Sequence, residues 1–186
     1  IMTVNDLFSE VYNMYGAVTR ARNCFLYTKK GIRLTDLFQE DGRAILGWAG
    51  GNAYTFMKNA MNRGVSGSFI TESSDRVEKA VSKLFNSNRQ IAYFSNKADA
   101  IKYALLFSKE STIVWKPWST FQQDISSVKS IVFAPTFPWT DSIYIVAIQK
   151  DLYSENIELD DFEKNKMKIP FPLQAGIARS IYNLIE

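Results

Sequence analysis

The chain has 186 residues, 46% hydrophobic and 22% charged, which suits one folded domain with an appendage rather than a disordered tail. Its 22 Lys and Arg against 19 Asp and Glu leave a net charge of +3, too weak to point to nucleic acid. With no histidine and a single cysteine, Cys24, the chain excludes imidazole catalysis, His-ligated zinc, an internal disulfide and a thiolate cluster, so chemistry has to rest on Lys, Asp, Glu, Tyr, Ser, Cys24 or a borrowed cofactor.

In chain order, Val4, Leu7, Phe8, Val11, Tyr12 and Tyr15 fall at helical spacing and predict an amphipathic helix, capped by Thr3 or Asn5 and ended by Gly16. Phe25-Leu26-Tyr27 and Ile32-Arg33-Leu34 around Gly31 predict a β-hairpin. Gly42, Gly47, Gly50 and Gly51 mark a loop that turns sharply or lies close to a ligand or another backbone, and it fits no P-loop or dinucleotide fingerprint. Residues 52–62 and 73–85 predict two helices, the second starting at Ser73 or Ser74 with Val77, Ala80, Val81 and Leu84 on its inner face.

Beyond these, Ile91-Ala92-Tyr93-Phe94 predicts a buried strand. A tight turn at Ser95-Asn96 leads into a helix over 98–107 with Ala98, Ile101, Ala104, Leu105 and Phe107 inward. Strands are expected at 112–115, 130–134 and 142–148, the last a nearly continuous apolar run of the kind that fits a strand buried on both faces. Residues 151–168 read as a charged, solvated loop, and 173–185 as a closing amphipathic helix. The expected fold class is α/β, a three-layer sheet-and-helix core over 71–186 with an N-terminal arm of helix, hairpin and glycine-rich loop over 1–70. No apolar run reaches the ~18 residues of a membrane helix. No charged-then-apolar leader is recognisable. The expected compartment is therefore cytoplasmic, with neither membrane nor nucleic acid as a partner.

The turn after the strand at 91–94 is the best physical candidate for a site. A helix start behind a buried strand offers free backbone N–H groups and a positive dipole end, and Ser95, Asn96 and Lys97 add hydroxyl, amide and ammonium donors. Simple capping by Ser95 or Asn96 explains the same residues. Trp115, Trp118 and Trp139 follow or end strands, where a ring can stack on a ligand or fill space in the core. Lys150 stands just past the last strand, where a desolvated lysine can act as a nucleophile. The acidic run from Glu155 to Glu163 matches no metal motif.

Several of these segments resemble class III aminotransferases, which are pyridoxal-phosphate enzymes. The resemblance lies in Phe25-Leu26-Tyr27, Lys30-Gly31, Arg33 and Thr35-Asp36-Leu37-Phe38, followed by Gly47-Trp48 where the family has Gly-His. Ser95-Asn96-Lys97-Ala98 is similar to the family's Ser-Gly-Thr-Glu turn, which holds the cofactor phosphate. Ile131-Val132-Phe133-Ala134-Pro135 is similar to its strand ending in Glu-Pro, and Phe171-Pro172-Leu173 to the start of its Asn-Pro-Leu-led helix. The resemblance implies pyridoxal phosphate as cofactor, with Ser95, Asn96, Lys97 and Trp118 as cofactor-binding residues and Lys150 as the catalytic lysine. It also implies a homodimer built through the arm.

The departures are as specific as the matches. The Gly-Thr pair is Asn96-Lys97, the glutamate before Pro135 is Ala134, and neither the Tyr-His-Gly nor the Asp-Glu-Val segment has a counterpart. Among the arginines, Arg20, Arg22 and Arg43 each qualify for a substrate carboxylate. The family needs about twice this length, which leaves open a part of a longer protein or a fold reduced to its core. The leading expectation is a degenerate aminotransferase-like protein that keeps the fold for binding a small-molecule ligand or for assembly. The others are an active transaminase with a divergent site and an interaction module without ligand.

Overall fold

A computed structural model describes residues 3–64, 71–108, 112–116, 125–136, 143–153 and 166–186. Helix α1 (Val4–Tyr15) starts at Thr3, whose hydroxyl accepts from the Asp6 N–H at 3.2 Å while the Asp6 carboxylate accepts from the Thr3 N–H at 2.7 Å. This reciprocal cap and Gly16 (φ 79°) set the ends of the helix that the sequence predicts. At its C-terminus the Lys30 ammonium donates to the Met14 carbonyl at 3.1 Å, the favourable end of the helix dipole for a cation.

The predicted hairpin is β2 (Phe25–Thr28) and β3 (Arg33–Thr35), paired antiparallel with Leu26 opposite Leu34. A strand that the sequence reading missed, β1 (Val18–Arg22), completes a three-stranded sheet in the order β1-β2-β3. Its burial is almost nil, so it carries no apolar signal. It is held by pairing and by contacts such as Arg20 over the Tyr27 ring at 4.4 Å.

Helices α2 (Ala53–Asn62) and α3 (Glu72–Leu84) follow. α3 begins before the expected Ser73 or Ser74, and Thr71 at its N-cap makes no side-chain capping bond. The second sheet contains β4 (Arg89–Phe94), β5 (Thr112–Trp115), β6 (Ser130–Phe133) and β7 (Tyr144–Gln149), in the order β4-β7-β6-β5. β5 and β6 run parallel, and β7 is antiparallel to both β4 and β6. Helix α4 (Lys97–Phe107) connects β4 with β5, and α5 (Phe171–Ile185) closes the described chain.

Three layers result, because β6 and β7 bury both faces. Ile131, Phe133, Ile145 and Ala147 pack against α3 and α5, with Val77, Val81, Ile177 and Ile181 opposite them. Val132, Val146 and Ile148 face the other way onto Ala100, Tyr103 and Ala104 of α4. The inner face of α4 differs from the predicted one: Ala98 and Leu105 are exposed, and Tyr103 is buried between Phe94 and Phe107. An aromatic ring buries more area than alanine or leucine, so it turns the helix to its own side. α2 lies within the expected arm segment, yet Ala53 and Met57 join the cluster built on α3 and α5. Among the described residues no helix is long and apolar enough to cross a membrane.

Candidate functional site

β4, β5 and β6 all end on one side of the sheet, at Phe94, Trp115 and Phe133, and β7 begins there at Tyr144. Ligands of open α/β sheets bind outside such strand ends. Ser95, Asn96 and Lys97 stand together at this edge, at the start of α4, and all three are exposed. The Asn96 carboxamide oxygen accepts from the Asp99 N–H at 2.8 Å, and its amide donates to the Asp99 carboxylate at 2.5 Å. Asn96 is thus occupied as a helix cap, and Asp99 places negative charge in the first turn, where it complements the dipole. Lys97 remains directed at the crevice beside the strand ends.

The structure does not bring Lys150 to this group. In the β4–β7 pair Phe94 lies opposite Tyr144 and Arg89 opposite Gln149. Lys150 therefore sits at the far end of β7, roughly 20 Å along the strand from the Ser95 side. There its backbone N–H donates to the Asn88 carbonyl at 3.1 Å, and its ammonium pairs with Glu78 of α3 at 2.5 Å. Trp118 lies outside the described residues, as do Trp139 and the run Glu155, Glu158, Asp160, Asp161 and Glu163.

The other wall of the crevice comes from the arm, which sequence reasoning had not connected with the sheet. Asp41 and Arg43 join Lys97, Lys116, Val114, Trp115, Phe133, Ala134 and Tyr144 around a volume of about 230 Å³. Arg43 is the arginine that the structure selects among the three considered; Arg20 and Arg22 lie on β1. Below the crevice, Trp115, Phe133 and Phe85 meet edge to face or tilted, with centroids 5.2 to 5.5 Å apart, and form a rigid apolar floor.

Asp41 and Arg43 reach the crevice through an unusual backbone. Gln39, Glu40, Asp41 and Gly42 all have positive φ, from 46° to 81°. Three consecutive non-glycine residues in this region cost about 1–2 kcal/mol each. The surrounding loop holds them there. The Asp36 carboxylate accepts from the Phe38 and Gln39 N–H groups, both at 3.0 Å, and from the Trp48 indole N–H at 2.8 Å. At the far end the Trp48 N–H donates to the Asn23 carbonyl at 3.0 Å, and a Cβ on Gly47 (φ 78°) would come within 3.0 Å of the Asn23 Cα. The glycine content of 42–51 signalled a sharp turn or a close approach to a ligand or another backbone, and Gly47 does lie against the Asn23 backbone, but nothing in it showed that the loop faces the strand ends.

Tested against pyridoxal phosphate, the described residues fit in part. Lys97, Lys116 and Arg43 suit the charge of a phosphate. The lysine expected to hold the cofactor covalently is not among them, and the carboxylate that lines the crevice among the described residues, Asp41, comes from the arm turn. The set therefore fits an anion and does not fit the covalent cofactor site assembled from the sequence.

No protein-family model matches the chain. A protein of Treponema pallidum (strain Nichols) is 33% identical over 88 residues, which span 47% of this chain and 28% of that protein. Among solved structures, an ornithine aminotransferase from Plasmodium yoelii superimposes with a TM-score of 0.57 at 12% identity, over 98% of this chain and 73% of that one. An acetylornithine aminotransferase from Elizabethkingia anophelis gives 0.59 at 9% identity, over 96% and 72%. A glutamate-1-semialdehyde aminomutase from Pseudomonas aeruginosa gives 0.61 at 8% identity, over 91% and 64%. At such identities the likeness speaks for architecture alone: this chain has a three-layer α/β fold resembling the large domain of pyridoxal-phosphate-dependent aminotransferases.

Proposed function

We propose that this protein is an aminotransferase-like protein that does not transaminate and binds a small anionic ligand in the crevice at the strand ends. The observation that carries this reading is the separation of Lys150, paired with Glu78 at one end of β7, from Lys97, Lys116 and Arg43 at the other. Transamination needs a lysine that serves both as covalent anchor and as proton shuttle at the cofactor, and a carboxylate that keeps the pyridine nitrogen protonated. Lys150 cannot reach a ring bound beside Lys97 without β7 leaving the sheet.

The absorption spectrum after addition of pyridoxal phosphate tests this, with tryptophan fluorescence, to which Trp115 of the crevice wall contributes, as an independent report. The expected result is saturable quenching, competed by inorganic phosphate, with no band of a lysine-bound cofactor. A lysine-bound band that disappears in Lys150→Ala would establish the active transaminase reading instead. Absence of any binding would leave an interaction module.

The same reading includes a homodimer built through the arm. α1 buries no residue, Phe8 is 48% and Leu37 90% exposed, and a cleft of about 500 Å³ opens between α1 and the first sheet. An apolar surface of this kind on a small domain marks an interface. Light scattering on the wild type and on Phe8→Asp checks it: the wild type is expected at twice the monomer mass and the variant at the monomer mass.

A further inference from the structure

Cations and aromatic rings meet a second time in the arm, on a surface that shares no residue with the crevice. Residues 11–35 hold Arg20, Arg22, Lys29, Lys30 and Arg33 and contain neither Asp nor Glu. The net charge of +3 averages this stretch with acidic ones elsewhere, so it hides a basic face of this kind.

The strand register sets the arginines and two rings on one side of the first sheet. Arg20 stands opposite Tyr27, Arg22 opposite Phe25, and Arg33 opposite Tyr27 from the other neighbouring strand. Directly opposed residues, and residues two apart along a strand, share a face. Ala21, Leu26 and Leu34 take the alternate positions and line the cleft against α1. The arginine face therefore points away from α1. Arg20, Arg22 and Arg33 are exposed on it, and Phe25 and Tyr27 are half-buried.

The Arg20 guanidinium lies 4.4 Å from the Tyr27 ring centroid, and that of Arg33 lies 4.8 Å from the Phe25 centroid. A ring face offers no oxygen, so these contacts hold the two side chains in place and leave their N–H donors. Among the described residues, none of the three arginines pairs with a carboxylate. Phe25 and Tyr27 follow each other on the face at about 6.6 Å, two residues of strand rise. Neighbouring rings on a sheet, flanked by arginines, match a polyanion that carries its own rings. Phosphates take the guanidinium forks, and unstacked bases take the aromatic rings or the guanidinium planes above them. An acidic peptide would engage the arginines and leave both rings without a contact. A duplex keeps its bases stacked inside.

We propose that the face of the β1-β2-β3 sheet carrying Arg20, Arg22, Phe25, Tyr27 and Arg33 binds a single-stranded nucleic acid, with phosphates at the three arginines and bases against the two rings.

Fluorescence anisotropy of a labelled oligouridylate of about ten nucleotides, titrated with the full chain at several salt concentrations, tests this. Saturable binding is expected, with the logarithm of affinity falling against that of salt at a slope of about −2, the value for three phosphates on a single strand. Arg22→Gln should flatten the slope by about 0.7. Tyr27→Leu should weaken binding about tenfold and leave the slope unchanged, because stacking releases no counterions. Should Tyr27→Leu fold poorly, Phe25→Leu reads the same contrast. Exposed Lys58→Gln controls for net charge and should alter neither affinity nor slope. A duplex of equal length binding as tightly as the single strand, or wild-type affinity in both ring variants, would overturn the proposal. Polyglutamate displacing the oligonucleotide at equal charge concentration would also overturn it and assign the face to an acidic protein. So would the absence of binding at low salt.

Discussion

The two ends of the β4–β7 pair are built from the same side-chain types and treat them in opposite ways. At one end the cations Arg43, Lys97 and Lys116 line an open crevice. At the other, Arg89 is fully buried at 0% exposure. It donates to the carbonyls of Ile125, Ser126, Val128 and Ala147 and to the Ser87 hydroxyl, at 2.7 to 3.3 Å. Burial pulls Arg89 down to about 10, opposed by the nearby charge of Asp151, and it stays cationic at neutral pH. On the same strand, burial and, secondarily, the charge of Glu78 push the Tyr93 phenol up, so it stays protonated. A cation that is fully spent on backbone acceptors stabilises the fold, whereas Arg43, Lys97 and Lys116 line a cavity. The side-chain types alone do not distinguish these placements, and the tertiary structure does.

Removing Arg89 should have the largest effect. Arg89→Met leaves four carbonyls without this donor in the interior and should cost about 3–5 kcal/mol, measured by urea unfolding, with anion binding retained under conditions where the variant is folded. An effect under about 1 kcal/mol would mean that water or another donor replaces the guanidinium. Next, Gly47→Ala sets a Cβ against the Asn23 backbone in a left-handed residue and should cost about 2 kcal/mol. Because that contact helps to hold the arm loop, it should also weaken anion binding. Stability lost without any change in binding would separate the loop from the crevice.

Smaller effects are expected from the helix starts. Asn96→Ala removes the α4 cap and should cost about 1 kcal/mol. Acidification should act on α1. The Thr3 hydroxyl and N–H hold the Asp6 carboxyl below its ordinary value of 3.8. A carboxyl lowered in the folded state contributes above its unfolded value, and that contribution is lost as pH falls through the folded one. Protection factors for amide exchange in the first turn of α1 should therefore fall below pH 3.8 while those of β6 and β7 are kept.

How much was legible follows from where each signal resides. β6 and β7 were readable because strands covered on both faces must be apolar along their length, as Ile131 to Phe133 and Ile145 to Ile148 are. α1 was readable down to Thr3 and Gly16, since caps are local chemistry. β1 was not, because an exposed strand of Thr, Arg and Ala has no burial pattern to show. The candidate site was legible only in its Ser95–Lys97 half.

By itself the sequence determined the elements whose signals lie within a few residues: the caps, the buried strands, the turn behind β4, and the exclusion of histidine chemistry. Only the tertiary structure decided that Lys150 faces away from that turn, because the antiparallel direction of β7 is set by its partners β4 and β6 and not by its composition. Only the tertiary structure brought Arg43 to the strand ends. The interactions that place it, Asp36 with Trp48 and Gly47 with Asn23, span 12 and 24 residues and leave no periodic trace along the chain.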